Sequence, residues 1–168
     1  MDQARVEEVT KQAHVITVSD GVFHRTREDR SGRVLVEALG GGGFEVGQPQ
    51  VVPDEVEQIT EAILTAIARG VDVVVTTGGT GLGPRDVTPQ AVAALLDYEV
   101  PGLGEAMRAA GFRSTPMAAL SRSGAGVKDR TLILNVPGSE RGAKESIDAV
   151  LPMLDHAVQL LHGDTAHR

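Results

Sequence analysis

Cysteine is absent from the chain, which excludes disulfides, thiolate nucleophiles and cysteine-ligated zinc. Aromatic residues are almost as scarce, at 2% with no tryptophan. A core built without them must rest on Val, Leu, Ile and Ala, as parallel α/β sheets do. The same scarcity removes the stacking platform that single-stranded nucleic acids need. Basic residues are outnumbered, and the formal net charge of −7 argues against a general nucleic-acid surface. A small anionic ligand stays compatible, because one pocket can be positive on an acidic protein. No apolar run approaches the roughly 20 residues that span a bilayer. Met1 to Gln12 is polar and charged, without the apolar centre of a signal peptide. The expectation is a cytoplasmic protein with neither membrane nor nucleic acid as partner. What is present is 41% hydrophobic residues in a chain of 168, enough for a sizeable core.

Strand-like and helix-like segments alternate along the chain. Strands are predicted at 14–20, 44–52, 71–77 and 131–136, where β-branched residues cluster. The run VDVVVTT (71–77) is apolar on both faces and therefore central. Between the first two strands, 21–32 reads as a surface loop. A helix follows to Leu39, capped by Ser31 and stopped by Gly40 to Gly43. Asp54 with Glu57 three residues on forms a capping-box pattern for a helix reaching Arg69, with Gly70 just past its end. Thr88 caps the next helix (89–97), and Pro89 takes its first position. A further helix covers 101–112, and 116–129 reads as a helical turn plus a glycine loop. Ser139 caps the last helix, in which Pro152 predicts a break near Val150. The fold class is therefore α/β: a three-layer, mostly parallel open sheet with helices on both faces. The domain reading is an N-terminal arm at 1–12, a single domain at 13–163 and a frayed tail at 164–168.

Ligands of open parallel sheets bind beyond the carboxyl ends of the strands. Four polar turns share that rim if the strands are parallel: Ser19-Asp20, Pro53-Asp54, Thr76 to Asp86, and Asn135 to Ser139. Gly78, Gly79 and Gly81 let backbone N–H groups approach phosphate oxygens, and both the 78–81 and 137–139 turns precede helices. Taken alone, GGTG fits a phosphate cradle and a plain tight turn equally. Neither a P-loop nor a dinucleotide fingerprint is present. Asp54 has a ready explanation as a helix cap. Asp86 has less of one, since Thr88 already caps and Pro89 has no N–H. Two carboxylates beside a phosphate cradle suggest Mg²⁺ and a phosphoryl or nucleotidyl transfer run on positioning and charge. Arg85, Arg122, Lys128 and Lys144 are the nearby cations, each more often a solvated surface charge. The five histidines show no metal spacing, His162 and His167 read as inert, and no histidine is placed beside Ser19, Ser121 or Ser139 for a hydrolase triad.

TTGGTG, RDVTP, PGLGEAMR and LILNVPGS, in that order, together with ITVSD, DRSG and VVPDE, resemble the molybdopterin adenylyltransferase family of MogA/MoaB type, seen also as the gephyrin G domain. The resemblance spans about 14–162. It implies an α/β homotrimer, or a hexamer, of molybdenum cofactor biosynthesis. Its substrates are molybdopterin and Mg-ATP. AMP is joined to the terminal phosphate of the pterin, pyrophosphate is released, and the product passes to a molybdenum-insertion protein. The family aspartates fall on Asp86 and Asp54, as catalytic residues and Mg²⁺ ligands. The ligand-binding set is Ser19, Asp20, Gly78, Gly79, Thr80, Gly81, Glu105, Ser121, Asn135, Pro137, Gly138 and Ser139. Gln90 stands where the family often has Glu, and the roles of the 21–30 loop do not carry over. Two other readings stay open: a non-catalytic molybdopterin carrier or scaffold of the same fold, and a domain of the longer molybdenum-insertion or competence-damage proteins. The length of the chain speaks against the latter.

Overall fold

A computed structural model describes residues 9–164. Most of the arm expected at 1–12 and of the tail expected at 164–168 lies outside the described residues. The described residues form one seven-stranded sheet in the order β2-β1-β4-β7-β6-β5, with β3 also paired to β1. β1 (Gln12–Val18), β2 (Glu45–Val46), β3 (Gln50–Val52), β4 (Val73–Thr77) and β7 (Thr131–Val136) run parallel. β5 (Tyr98–Glu99) and β6 (Gly124–Lys128) close one edge antiparallel. The mostly parallel α/β architecture expected from the alternation is thus present.

Side-chain alternation divides the core into two layers. On one face Val15, Val73, Val75, Leu132 and Leu134 pack against α2 (Arg30–Gly41), α5 (Pro101–Phe112) and α6 (Glu140–Leu161). On the other, Ile16, Val18, Val74 and Ile133 pack against α3 (Val56–Ala68) and α4 (Thr88–Ala93). Every residue of β4 is buried, which makes it central, as its two-sided apolarity requires. Among the described residues no helix is long and apolar enough to cross a membrane.

Several local expectations need correction. The segment read as a loop at 21–32 contains a one-turn helix, α1 (Asp20–Phe23), capped by Ser19. α2 starts earlier than predicted and is capped by Asp29, not by the buried Ser31. Asp29 wins because its carboxylate also accepts from Thr17 Oγ1 of β1 at 2.8 Å. Asp54 does not cap α3, whose N-cap Glu55 makes no side-chain capping bond. Thr88 lies inside α4 after the N-cap Val87, and its hydroxyl donates to Gly78 O at 2.9 Å. The strand expected over 44–52 is split into β2 and β3. The helical turn expected within 116–129 is the 3-10 turn Pro116–Leu120, but the glycine loop expected after it is β6. α6 runs unbroken for 22 residues through Pro152, held to the sheet by Ile147, Val150, Leu154 and Val158. His162, read as inert, bonds Asp72 Oδ1 at 2.7 Å. The Ser139 cap stands as predicted, its hydroxyl accepting from Gly142 N at 3.1 Å.

Candidate functional site

The register of the parallel strands sets the rim. Thr17 of β1 lies opposite Thr77 of β4, and Thr77 opposite Val136 of β7. Three strands therefore end level, and the turns that follow them meet beyond one edge. Gly78 N donates to Val136 O at 3.1 Å, and Thr77 Oγ1 donates to Pro137 O at 2.8 Å. These bonds draw the 78–79 turn against the 137–139 turn. Both contacts need glycine. Gly78 has φ +103, and a Cβ there would stand 2.2 Å from Val18 O. A Cβ on Gly138 would stand 3.0 Å from Gly78 Cα.

Beyond the rim opens a cavity of about 770 Å³. The 78–79 turn and Gly138-Ser139 form one side, Ser19 and Val22 another, and Asp54 and Asp86 a third. The start of α2, with Arg27 to Ser31, closes it. The N-termini of α1, α2 and α6 all reach this space, and helix N-termini favour anions. Of the predicted site residues, Ser19, Asp54, Gly78, Gly79, Asp86, Gly138 and Ser139 line the cavity directly. Glu105 and Asn135 line a separate pocket of about 230 Å³. Ser121 and Pro137 line a third space, of about 200 Å³, which Ser139 also reaches. Asn135 is buried and accepts from Thr76 Oγ1 at 2.9 Å, a bond that joins β4 to β7. Thr80 is buried, and Thr80 and Gly81 present their carbonyls to Arg122.

The carboxylates are organised by backbone. Asp54 Oδ2 accepts from Asp20 N at 2.8 Å, while Asp20 Oδ1 accepts from Asp54 N at 3.0 Å. This exchange staples the β1 turn to the β3 turn and draws Asp54 away from α3. Arg85 does not turn to the cradle. It takes Asp20 through two bonds of 3.1 Å and Glu55 through one of 3.0 Å. Asp86 Oδ2 accepts from Gly83 N at 2.8 Å and closes its own loop. Burial pushes the Asp54 carboxyl above its ordinary range, and the charges of Asp20 and Asp86 act the same way against the Asp20 N–H and Arg85. The Asp20 carboxyl is held below its ordinary range by the Asp54 N–H and by Arg85, against a desolvation cost. Among the described residues no group of three or more His, Cys, Asp or Glu is arranged for a metal ion. The Asp54 and Asp86 pair still suits Mg²⁺, which takes one or two carboxylates and completes its shell from water and phosphate.

Lys128 and Lys144 are paired with Asp97 and Asp148 and stand outside the cavity, as their surface reading requires. Arg27 was not singled out from the sequence, and Asp29 and Arg30 entered only within the DRSG motif, without a role in the site. Asp29 stands immediately before the helix start, a usable signal. The arginines lie in a segment whose pattern read as loop.

A mostly parallel α/β sheet whose rim carries two glycine-bearing turns, helix N-termini and two carboxylates suits the class of proteins that bind phosphate-bearing ligands. The comparisons narrow the class. Residues 14–156 match the family described as probable molybdopterin binding domain. The chain is 52% identical to the molybdopterin biosynthesis enzyme MoaB of Thermus thermophilus, with a TM-score of 0.85 over 92% of this chain and 98% of that one. It is 34% identical to a molybdopterin adenylyltransferase of Helicobacter pylori, covering 89% of this chain and 87% of the relative. It is 42% identical to a molybdenum cofactor biosynthesis bifunctional protein of Synechococcus elongatus over 90% of this chain, but spans only 47% of that protein's length. The chain belongs to the molybdopterin-binding family of MogA/MoaB type.

Proposed function

We propose that this chain is a molybdopterin adenylyltransferase of molybdenum cofactor biosynthesis. It binds molybdopterin and Mg-ATP, joins AMP to the terminal phosphate of the pterin, and releases pyrophosphate. The observation that carries the reading is that Asp54 and Asp86 line the same cavity as two backbone turns shaped by glycine. The H. pylori relative, named for this activity and matched over most of its length, supports it.

In the reaction a pterin phosphate oxygen attacks the α-phosphorus of ATP. The new P–O bond forms as the bond to the bridging oxygen breaks, and pyrophosphate departs with that electron pair. The nucleophile is an ionised phosphate, so no base is required. The site's work is alignment and neutralisation of charge. N–H groups of Gly79, Gly138 and Ser139 hold phosphate oxygens, and the start of α6 adds its dipole. Asp54 and Asp86 would hold Mg²⁺, which supplies positive charge to the triphosphate as charge moves toward the leaving group. Burial is the main cause of the raised proton affinity of Asp54, and the charges of Asp20 and Asp86 add to it, a contribution that a bound cation would offset. The Asp20 exchange and Arg85 fix the direction in which Asp54 faces.

The test is incubation with molybdopterin, ATP and Mg²⁺, scored for adenylyl-molybdopterin and pyrophosphate. Asp86→Ala and Asp54→Ala should each lower turnover by at least about 100-fold, with pterin binding and fold retained. Wild-type turnover in both variants would sink the assignment. Pterin binding by the unaltered protein without pyrophosphate release leaves the carrier reading in its place.

A further inference from the structure

Arg122 follows the 3-10 turn and precedes β6, far in sequence from the Asp86 loop. Its backbone N–H nevertheless donates to Thr80 O at 2.9 Å. Its guanidinium reaches the same loop at both ends. Nε and Nη2 donate to Gly81 O at 2.9 and 2.8 Å, and Nη2 also donates to Asp86 O at 2.7 Å. Nη1 donates to Gln90 Oε1 of α4 at 3.1 Å. Every bond this guanidinium makes among the described residues goes to a neutral oxygen. A planar fork suits such a task, because its donors are fixed relative to one another.

The loop needs an external tie. Between Gly81 and Asp86 it has no strand or helix, and Leu82 is 68% exposed. Its internal bonds, Gly83 N to Asp86 Oδ2 at 2.8 Å and Asp86 N to Gly83 O at 3.0 Å, join the loop only to itself. Arg85 ties the middle of the loop to Asp20 and Glu55 through exposed side chains, which leaves its two ends to be placed. Arg122 fixes where those ends sit against the molecule. It lines the 230 Å³ pocket with Glu105 and Asn135 and not the cavity that Asp86 lines, and its guanidinium is engaged by oxygens of Gly81, Asp86 and Gln90, so it acts through the place of Asp86.

We infer that Arg122 is the positioning residue for Asp86, setting the carboxylate's place in the cavity by holding both ends of the 81–86 loop. The inference rests on the proposed role of Asp86. The test uses Arg122→Ala and Arg122→Lys, with Asp86→Asn beside them. Lysine keeps the charge but cannot serve Gly81, Asp86 and Gln90 together, so it also covers the case in which alanine fails to fold. Amide hydrogen exchange of the ligand-free proteins should show faster exchange over 81–86 in both Arg122 variants, with β4 and β7 still protected. Turnover should fall by about 100-fold in the alanine variant, as about 1 Å of misplacement produces, with KM for molybdopterin changed little. Wild-type exchange over 81–86 overturns the proposal, and so does faster exchange with unchanged turnover. An inactive Asp86→Asn beside a normal Arg122→Lys overturns the positioning role alone. An active Asp86→Asn overturns the assignment of Asp86 itself.

Discussion

Asp54 and Asp20 share one pair of backbone bonds yet respond to pH in opposite directions. The folded-state affinity of Asp54 for its proton is raised, so the folded protein holds more protons than the unfolded chain just above the ordinary carboxylate range. Its contribution is fully present below that range and is lost as pH rises through its raised value. Asp20 is lowered, so its contribution is present above the ordinary range and is lost as pH falls through its depressed value. A carboxyl NMR titration should find the Asp54 midpoint above, and the Asp20 midpoint below, that of a free aspartate. Coincident midpoints would contradict the geometry. Asp54→Asn should cost no stability at neutral pH while abolishing turnover, since it removes a charge the fold disfavours. Gly78 makes a steric counterpart. Alanine there would combine φ +103 with a Cβ only 2.2 Å from Val18 O. Gly78→Ala should lower unfolding free energy by about 2–4 kcal/mol in urea titration.

At the scale of elements, Pro152 sits at an exposed position within α6. The helix persists because Ile147, Val150, Leu154 and Val158 are buried on the face toward the sheet, and that burial outweighs one missing backbone bond. Pro152→Ala should restore the bond and stabilise the protein by about 1–3 kcal/mol, read as a rise in thermal midpoint. The same competition explains what sequence pattern showed and what it concealed. β4, its glycine turn and the Ser139 cap were legible because each is encoded within a few residues. β6 was not: GAGVK offers two glycines in five residues and reads as loop. Its Gly126 is there for contact, since a Cβ would meet Leu96 at 2.4 Å. The Asp54 cap was misread because the competing partner, Asp20, lies 34 residues away. Arg122 was read as a solvated surface charge for a similar reason, the partners of its guanidinium standing 32 to 41 residues off. Local spacing found the strand ends of the site but not the long-range bonds that aim its side chains.

For the molecule as a whole, we propose the homotrimer or hexamer implied by the family resemblance. Phe112, Met117 and Leu120, at the end of α5 and in the 3-10 turn, are more than half exposed. Covering such side chains is favourable. Sedimentation velocity should give three or six times the chain mass, and a monomer at micromolar concentration would refute the assembly. Asp72 supplies another property of the whole. Its carboxylate accepts from Gln12 N at 2.7 Å and bonds His162 at 2.7 Å. The start of β1, the start of β4 and the end of α6 are therefore tied at the amino edge of the sheet, opposite the cavity. Gln12 and His162, each near one end of the described residues, meet at the floor of the molecule. Contacts made at that base would leave the mouth of the cavity facing outward.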